Sequence, residues 1–306
     1  MSGNSGNEVL KRVSRSFYLS LLLLPGPMRQ AASLAYLLAR TSDTLADTVG
    51  VPWDDRLRSL GAFGQALAGE REISRWPLRL LNAVEDLGER HLLEISDDLL
   101  AWLGRLPADE AELVREVVGI IIEGQKLDLG RFAGSDRENP VALEDDAALE
   151  DYAWRVAGCV GAFWTKLGFL TMGDRFSRVP ASVLIEQGIF YGKGLQLVNI
   201  LRDLPADLAM GRCYLPVADP MNMVSLLEAH GLWLERSAGW VNAGFSYAES
   251  LRSRRLRVAT VLPAMIARET LERMRGANWE ILQARVKIPR AKVYLALLRA
   301  FIGKTA

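Results

Sequence analysis

Histidine and cysteine are scarce in this chain, which has two of each among its 306 residues. The cysteines, Cys159 and Cys213, are far apart in sequence, so they provide neither a disulfide framework nor a cysteine-rich metal cluster. Two histidines, His91 and His230, are too few for a multi-histidine metal centre. These shortages disfavour a zinc enzyme or a Ser-His-Asp hydrolase and are typical of a protein from a reducing cytosol.

The chain also lacks an excess of charge and a long apolar run. Lys plus Arg and Asp plus Glu both number 37, so no charge excess indicates a nucleic-acid partner. The apolar run from Leu19 to Leu24 is far shorter than the ~20 residues that a membrane-spanning helix needs. We therefore expect a cytoplasmic protein, with peripheral contact at the inner membrane as a further expectation, and a disordered segment at residues 1–7.

Strand-like alternation and hairpin dipeptides are nearly absent, whereas helical periodicity with half of the residues hydrophobic runs through the chain. We find no linker or repeat and predict one all-α domain over residues 1–306. The predicted helices are Ser5–Leu21, Pro27–Thr48, Asp54–Ala68, Pro77–Glu89, Ser96–Gly104, Asp109–Phe132, Ala147–Met172, Pro180–Leu204, Met221–Ala229, Leu232–Leu251, Arg254–Arg275 and Pro289–Ile302.

A first acidic motif lies in the second predicted helix. Tyr36, Arg40, Asp43 and Asp47 are four, three and four residues apart, so they share one helix face. A solvated face of an amphipathic helix is the competing interpretation. Aspartate is a mediocre helix former, however, and Tyr and Arg beside two short carboxylates suit a confined site better.

A second acidic motif follows in the segment around residue 200. Gln196, Asn199 and Asp203 fall within a narrow arc, and apolar residues cover most of the remaining circumference. A helix of this kind is buried, so its polar stripe needs an internal polar space. Pro205 is expected to interrupt the helix and to leave Asp207 on a distorted turn.

Paired aspartates beside arginines suit the chemistry of a diphosphate. Magnesium prefers hard oxygen ligands, and typically binds one or two carboxylates together with substrate phosphates. Arginine adds forked hydrogen bonds to phosphate oxygens, and Arg40, Arg202 and Arg212 lie near the two motifs. The motifs therefore predict magnesium-assisted departure of a diphosphate leaving group.

Five linked segments resemble the squalene/phytoene synthase family, in the family's order and spacing between about residues 14 and 216. They are Ser14-Arg-Ser-Phe17, Asp43-Thr-Leu-Ala-Asp47, Tyr152-Ala-Trp-Arg-Val-Ala-Gly-Cys-Val-Gly161, Gln196 to Asp207, and Gly211-Arg-Cys-Tyr-Leu-Pro216.

The resemblance implies an all-α isoprenoid synthase fold around a central cavity, with the two acidic motifs on facing walls. It implies the following roles: magnesium ligands Asp43, Asp47, Asp203 and Asp207; diphosphate-holding residues Tyr36, Arg40, Gln196, Asn199, Arg202 and Arg212; a proton-transfer candidate, Tyr152; and a substrate entrance formed by Ser14, Ser16 and Phe17. Ala46 and Ala206 stand where many members carry Glu, which leaves fewer supporting acceptors.

The product is a finer question. Asp43-Thr-Leu-Ala-Asp47 and the segment Val286-Lys-Ile-Pro-Arg290 resemble squalene synthases, so we expect a soluble bacterial enzyme that joins two farnesyl diphosphates and uses NADPH. A phytoene, dehydrosqualene or presqualene diphosphate synthase is the alternative, and a catalytically silent isoprenoid-binding assembly protein is the alternative of another class. Gly192-Lys-Gly194 lacks the third glycine and the strand of a dinucleotide fingerprint. Oligomeric state is not predicted.

Three weaker features have two interpretations each. Gly158 and Gly161 either make room for a prenyl chain or allow close helix packing. Asp128 resembles a family position on a cavity helix, but an ordinary surface acid is an equal alternative.

Overall fold

A computed structural model describes residues 17–73 and 75–302. The predicted all-α class is confirmed: the described residues form fourteen α-helices and one short parallel strand pair, Val141–Ala142 (β1) with Arg212–Cys213 (β2). The helices are α1 Phe17–Leu22, α2 Gly26–Asp47, α3 Trp53–Ala68, α4 Leu78–Ala83, α5 Leu87–Glu94, α6 Ser96–Leu103, α7 Ala108–Arg131, α8 Asp146–Ala153, α9 Cys159–Met172, α10 Ala181–Ala209, α11 Met223–Ser250, α12 Arg254–Met274, α13 Trp279–Gln283 and α14 Arg290–Ile302.

The chain divides into two compact units. The first comprises the described residues up to Gly130 together with Lys166–Gly173, and the second comprises Arg131–Thr165 and the described residues from Asp174 onward. The prediction of one domain stays a prediction.

In the first unit, α2 is the most buried long helix. Most of its leucines and alanines are fully buried, while Asp47 at its end is exposed. Pro25, just before the helix, adopts the extended backbone that lets Gly26 begin it. This burial fixes the direction of the Arg40–Asp47 face.

The second unit is built around α10, whose apolar residues belong to a cluster that includes Leu197, Leu201 and Leu204. Along this helix the backbone approaches its neighbours closely, because glycines stand at the contacts. A Cβ atom built on Gly161 of α9 would lie 1.9 Å from the carbonyl oxygen of Gly188 in α10. Close helix packing therefore accounts for Gly161, and Gly158 shows the same crowding against Lys193 at 3.0 Å.

The helix α10 continues through Pro205 to Ala209, so the predicted interruption there is wrong. A helical proline donates no hydrogen bond to the carbonyl four residues before it, which here is that of Leu201. The Nε2 atom of buried His230, on α11, lies 3.3 Å from this oxygen. Burial lowers the pKa of His230 and favours the neutral ring, whose Nε2–H can donate to Leu201. Asp207 consequently lies on regular helix.

Other predicted boundaries also differ from the structure. The predicted helix Pro77–Glu89 is two helices, because the Asp86 side chain accepts hydrogen bonds from the amides of Gly88 and Glu89 and begins α5 afresh. The predicted pair Met221–Ala229 and Leu232–Leu251 is the single helix α11, which accommodates Gly231 with no atom near its Cβ direction. The short helix α13 lies outside every predicted helix.

The predicted helix Ala147–Met172 contains one π-helical turn, Trp154–Gly158, between α8 and α9. π-turns insert one residue into a helix and occur often at functional sites. Among the described residues, the stretch Asp146–Arg175 is the one helix long and apolar enough to cross a membrane by length and composition. A core helix of a soluble protein passes the same test, so this finding is weak evidence for a membrane span.

Candidate functional site

The first acidic motif forms a cluster on α2 that we call the α2 cluster: Arg40, Asp43, Asp47, Glu89 and Gln125. Arg40 lies between two carboxylates, with its Nη1 3.5 Å from Oδ2 of Asp43 and its Nη2 hydrogen-bonded to Glu89. The Nε2 atom of Gln125, on α7, donates a 2.7 Å hydrogen bond to Oδ1 of Asp43. Arg40 is thus shared by two carboxylates, those of Asp43 and Glu89, and the charge of Asp47 also acts on Asp43.

The surroundings of Asp43 affect its pKa. Burial, followed by the negative charge of Asp47, raises the pKa of Asp43 from 3.8 to about 7, although Arg40 and Gln125 act in the opposite direction. The Asp43 side chain is 40% exposed, so water screens part of the burial effect. Burial and the charge of Asp47 both still favour the protonated form of Asp43. A bound cation would act against both, because it favours the ionised form.

Arg40 has a pKa above its usual value. Burial alone would lower that pKa, but the charges of Asp43 and Glu89 and the nearby Tyr36 outweigh it. Tyr36, Arg40 and Asp43 are therefore brought together, as their shared helix face predicts.

A buried polar pair on α7 completes this part of the first unit. Gln125 and Asp128 are both buried, so the interpretation of Asp128 as an ordinary surface acid is wrong. The Oε1 atom of Gln125 has no hydrogen-bond partner within the described ranges. The sequence did not predict Gln125 and Glu89 as members of this cluster. Both lie on other helices, too far along the chain for a local motif to link them to Asp43 or Arg40.

The second acidic motif forms the α10 cluster: Arg202, Asp203, Asp207, Arg212 and Arg285. Arg202 binds Asp203 through two contacts, Nε to Oδ1 at 3.0 Å and Nη2 to Oδ2 at 2.5 Å. Arg285 adds a third, from Nε to Oδ1 at 3.2 Å. Arg212 lies with its Nη2 4.0 Å from Oδ1 of Asp207. Three arginines meet two carboxylates here, for a formal charge of +1.

Glycine and strand pairing place Arg212 in this cluster. Gly211 has a φ of +81°, and a Cβ there would lie 2.5 Å from the backbone nitrogen of Asp136. Only glycine tolerates both conditions. The next residue, Arg212, then pairs with Val141 in the β1–β2 ladder. Arg285 also has a positive φ, of 56°, and no sequence motif indicates its role.

The remaining predicted site residues have different surroundings. Gln196 is half-buried, whereas Asn199 is exposed on α10. The ring of Tyr152, half-buried at the end of α8, is stacked on Tyr214 with 4.8 Å between ring centroids, and their hydroxyl oxygens are 3.5 Å apart. Ser14 and Ser16 lie outside the described residues, as does the side chain of Phe17.

The two alanines that depart from the family pattern differ in exposure. Ala46 is buried, and Ala206 is exposed. A glutamate would therefore be costly at the first position and simple to accommodate at the second.

Residues 10–292 match the model of the squalene/phytoene synthase family. The chain belongs to this family. A bifunctional lycopene cyclase/phytoene synthase from Phaeosphaeria nodorum is 30% identical over 68% of this chain and 33% of that protein. A presqualene diphosphate synthase from Zymomonas mobilis is 28% identical over 70% of this chain and 60% of that protein. A squalene synthase from Eremothecium gossypii is 25% identical over 96% of this chain and 66% of that protein.

The chain thus spans between a third and two thirds of the length of these relatives. Among solved structures, a complex of TcSQS with the ligand E5700 has a TM-score of 0.78, at 22% identity over 99% of this chain and 88% of that one. This likeness establishes the isoprenoid synthase fold that the five motifs imply.

The oxygen-rich α2 cluster fits a magnesium ion in its donor chemistry. No group of three or more His, Cys, Asp or Glu side chains in the described part of the chain is arranged to hold a metal by itself. Magnesium commonly binds few protein carboxylates and completes its shell with water and substrate phosphates.

Proposed function

We propose that the protein joins two prenyl diphosphates head to head and, more specifically, that it converts two farnesyl diphosphates to squalene through presqualene diphosphate, with NADPH as the reductant. One observation carries this proposal: the first aspartates of the two acidic motifs have different surroundings. In the α2 cluster, burial and the negative charge of Asp47 raise the pKa of Asp43, so a bound cation would favour its ionised form. In the α10 cluster, Asp203 is held by Arg202 and Arg285, whose remaining donors can bind an anion.

In this proposal, the arginines of the α10 cluster bind the diphosphate of the substrate. Arg202 and Arg285 hold Asp203, and each guanidinium has further donors beyond those bound to this carboxylate. Forked donors of this kind bind phosphate oxygens with defined geometry. Arg212, 4.0 Å from Asp207, adds a third guanidinium to the same set.

Asp43, Asp47, Asp203 and Asp207 are the residues that would hold magnesium. When bound, magnesium neutralises charge on the diphosphate and so assists its departure. The chain's own contribution is to keep Asp43 oriented. Gln125 fixes Oδ1 by its hydrogen bond, and Arg40, anchored by Glu89, holds Oδ2.

Accessible apolar surface in the central helices suits a prenyl chain. In the stretch Asp146–Arg175 about a third of the apolar window is buried, so much of it, including half-buried Val156 and Val160, is accessible. Each CH₂ group transferred from water to such a surface contributes about 0.8 kcal/mol. A long prenyl tail therefore gains substantial binding energy there.

Tyr152 is the candidate for the proton-transfer step. Its ring is fixed by stacking on Tyr214, which is itself in edge contact with Phe132 at 5.2 Å. The neighbouring Tyr214 hydroxyl, 3.5 Å away, offers a partner at the longest distance of a hydrogen bond. This arrangement orients the Tyr152 hydroxyl without requiring an ionised group.

The described part of the chain contains no segment that we can assign as a binding site for NADPH. The glycines of Gly192-Lys193-Gly194 serve packing: Cβ atoms there would lie 2.2 Å from the Ala157 carbonyl oxygen and 2.8 Å from the Val241 nitrogen. Lys193 between them binds Glu150 at 2.5 Å and lies over the ring of Trp240. This segment does not fit a dinucleotide, and we derive no step through NADPH.

A second candidate is a presqualene diphosphate synthase, favoured by the 28% identity to the Zymomonas mobilis protein. The squalene synthase relative is less identical but matches 96% of this chain, compared with 70% for the Zymomonas mobilis protein. A phytoene synthase and a silent isoprenoid-binding protein are the third and fourth candidates, and one assay separates all four.

The test is an incubation with magnesium and either farnesyl or geranylgeranyl diphosphate, with and without NADPH, read by mass spectrometry. We expect squalene from farnesyl diphosphate with NADPH, and presqualene diphosphate or unreduced C30 products without it. Presqualene diphosphate under both conditions would establish the second candidate. Phytoene from the longer substrate would move the protein to the carotenoid branch, and no product would favour a binding protein.

A further inference from the structure

A separate cavity of about 350 Å³ lies in the first unit, among α3, α4 and the described residues between these two helices. Its size falls within the range of small-molecule sites. The catalytic motifs contribute no residue to it. Its lining combines an apolar floor with four arginines; the residues are Val51, Asp55, Arg58, Ser59, Ala62, Arg71, Ile73, Arg75, Trp76, Pro77, Arg79 and Leu80.

The charges of this cavity do not balance. Buried Asp55 is its one lining carboxylate and is shared by Arg58 and Arg79. Arg71 and Arg75 make no ion pair with any carboxylate in the described ranges. Asp54, just outside the lining, also pairs with Arg58 at 2.9 Å. The four lining arginines and their two carboxylate partners therefore have a formal charge of +2, in a protein whose net charge is zero. Such a cavity selects an anion, and arginine selects phosphate in particular.

Exposed large apolar residues adjoin the lining residues in sequence, and we call Val49, Trp53 and Leu78 the apolar rim. Leu78, between the lining residues Pro77 and Arg79, is 75% exposed, and Trp53, between Val51 and Asp55, is 46% exposed. Val49 is 78% exposed, and the adjoining Gly50 packs against Ala83 at the end of α4. Large exposed apolar side chains around a basic pocket suit the boundary between lipid headgroups and acyl chains.

We propose that this cavity binds the phosphate of an anionic phospholipid and that the surrounding apolar rim inserts into the membrane surface. Arg71 and Arg75 supply free donors to the phosphate, while Asp55 holds Arg58 and Arg79 in place. The proposal is independent of the reaction, because none of these residues belongs to either acidic cluster.

The test measures binding of the full chain to vesicles of phosphatidylcholine, alone or mixed with phosphatidylglycerol, by co-sedimentation. We expect binding to the anionic vesicles only, with a loss of about 30-fold in the double variant Arg71→Gln/Arg75→Gln, on the scale of two basic residues at a membrane surface. Leu78→Asp should also weaken binding. The matched control, Arg105→Gln/Arg175→Gln, removes two exposed arginines that do not line the cavity and should bind as the unmodified protein does.

A second arm distinguishes a membrane lipid from a soluble phosphate. Titration calorimetry with inorganic diphosphate is run on the unmodified protein and on Arg71→Gln/Arg75→Gln, and circular dichroism checks that each variant is folded. Equal binding to both kinds of vesicle, or unchanged vesicle binding by Arg71→Gln/Arg75→Gln, would overturn the proposal. Diphosphate binding that depends on these arginines, without vesicle binding, would assign the cavity to a soluble ligand and equally overturn it.

Discussion

The α2 cluster and the α10 cluster share the spacing Asp-x-x-x-Asp but differ in how their charges are balanced. In the α2 cluster Arg40 is shared by Asp43 and Glu89, and burial together with the charge of Asp47 raises the pKa of Asp43. In the α10 cluster arginines hold Asp203 by three contacts and approach Asp207. The two motifs therefore suit different ligands: a cation would favour the ionised form of Asp43, and the arginines that hold Asp203 have further donors for an anion.

The helices that carry these clusters are also held differently. The helix α2 is anchored by buried leucines and alanines, which tolerate small adjustments of the backbone. The helix α10 is anchored by direct backbone contacts at glycines and carries an internal proline. A substitution should therefore disturb the position of the α10 carboxylates more readily than that of the α2 carboxylates.

The largest expected effect is on turnover. Asp43→Asn and Asp203→Asn should each lower kcat by about 10² or more, the scale of losing one preorganised charge-stabilising group. Asp43→Asn should also weaken the dependence of turnover on magnesium. It removes a carboxylate whose pKa is raised by burial and by Asp47, and whose ionised form a bound cation would stabilise. Steady-state kinetics over a range of magnesium concentrations measures both effects.

Asp54→Asn is the matched control for these two variants, since Asp54 is a half-buried aspartate on α3 that is paired with Arg58. It should retain full activity. Normal turnover of Asp43→Asn and Asp203→Asn at saturating magnesium would contradict the metal assignment.

The next effect concerns the support of α10. Gly161→Ala should lower the free energy of unfolding by about 3 kcal/mol, the upper part of the range for overpacking, because its Cβ would collide with the Gly188 backbone at 1.9 Å. Gly119→Ala on α7, where no atom lies within 4 Å, should instead raise stability by up to about 1 kcal/mol. Urea denaturation measures both; equal effects would mean that the α9–α10 contact can relax.

A smaller effect tests how α10 accommodates Pro205. His230→Ala should lower the free energy of unfolding by about 1–3 kcal/mol beyond its cavity cost, since the Leu201 carbonyl loses its donor. In the Pro205→Ala background the amide of residue 205 can bond to that carbonyl, so the same substitution should cost less. The double-mutant cycle cancels the cavity cost and isolates this coupling. A coupling of zero would show that His230 contributes packing alone.

Local patterns predict the helices and the two acidic faces because these depend on periodicity within one segment. Local patterns do not predict that the helix continues through Pro205. That outcome depends on His230, 29 positions after Leu201, which can donate to the Leu201 carbonyl in place of the amide that proline lacks. Glu89, Gln125 and Arg285 escape local patterns for the same reason: each reaches its aspartate or arginine from a distant segment. The excess charge at Asp43 likewise follows from tertiary neighbours.

Whether Asp43 and Asp203 share one cavity stays a prediction, as do the magnesium ligands and the role of Tyr152. The five motifs indicate the family correctly because they specify order and spacing over two thirds of the chain. They do not specify the product, since phytoene, presqualene diphosphate and squalene synthases are all among the relatives.

The smallest expected effect is a pH dependence that distinguishes the two clusters without an activity assay. Because the pKa of Asp43 is raised from 3.8 to about 7, the folded protein retains a proton there that the unfolded chain has released. The folded state binds more protons than the unfolded state between about pH 4 and pH 7, so this group lowers the free energy of unfolding as pH rises through that window. Asp43→Asn lacks this effect. The Tm of the variant minus the Tm of the unmodified protein should therefore increase from pH 4 to pH 7 and stay constant above pH 7.

Asp54→Asn should show the opposite sign. Burial is the largest single influence on the pKa of Asp54 and would raise it, but the hydrogen bond and charge of Arg58 and the backbone hydrogen bonds together lower it. The unmodified protein should therefore lose its advantage over this variant as pH falls below 4. Both effects are small, because water screens a 40% exposed carboxylate at residue 43 and a 48% exposed one at residue 54. Thermal scans at matched ionic strength, with and without magnesium plus inorganic diphosphate, give the decisive reading. The ligands should reduce the pH dependence at Asp43, since a bound cation stabilises its ionised form. A Tm difference between Asp43→Asn and the unmodified protein that stays flat from pH 4 to pH 8 would mean that Asp43 is already compensated, and the contrast between the two clusters would no longer hold.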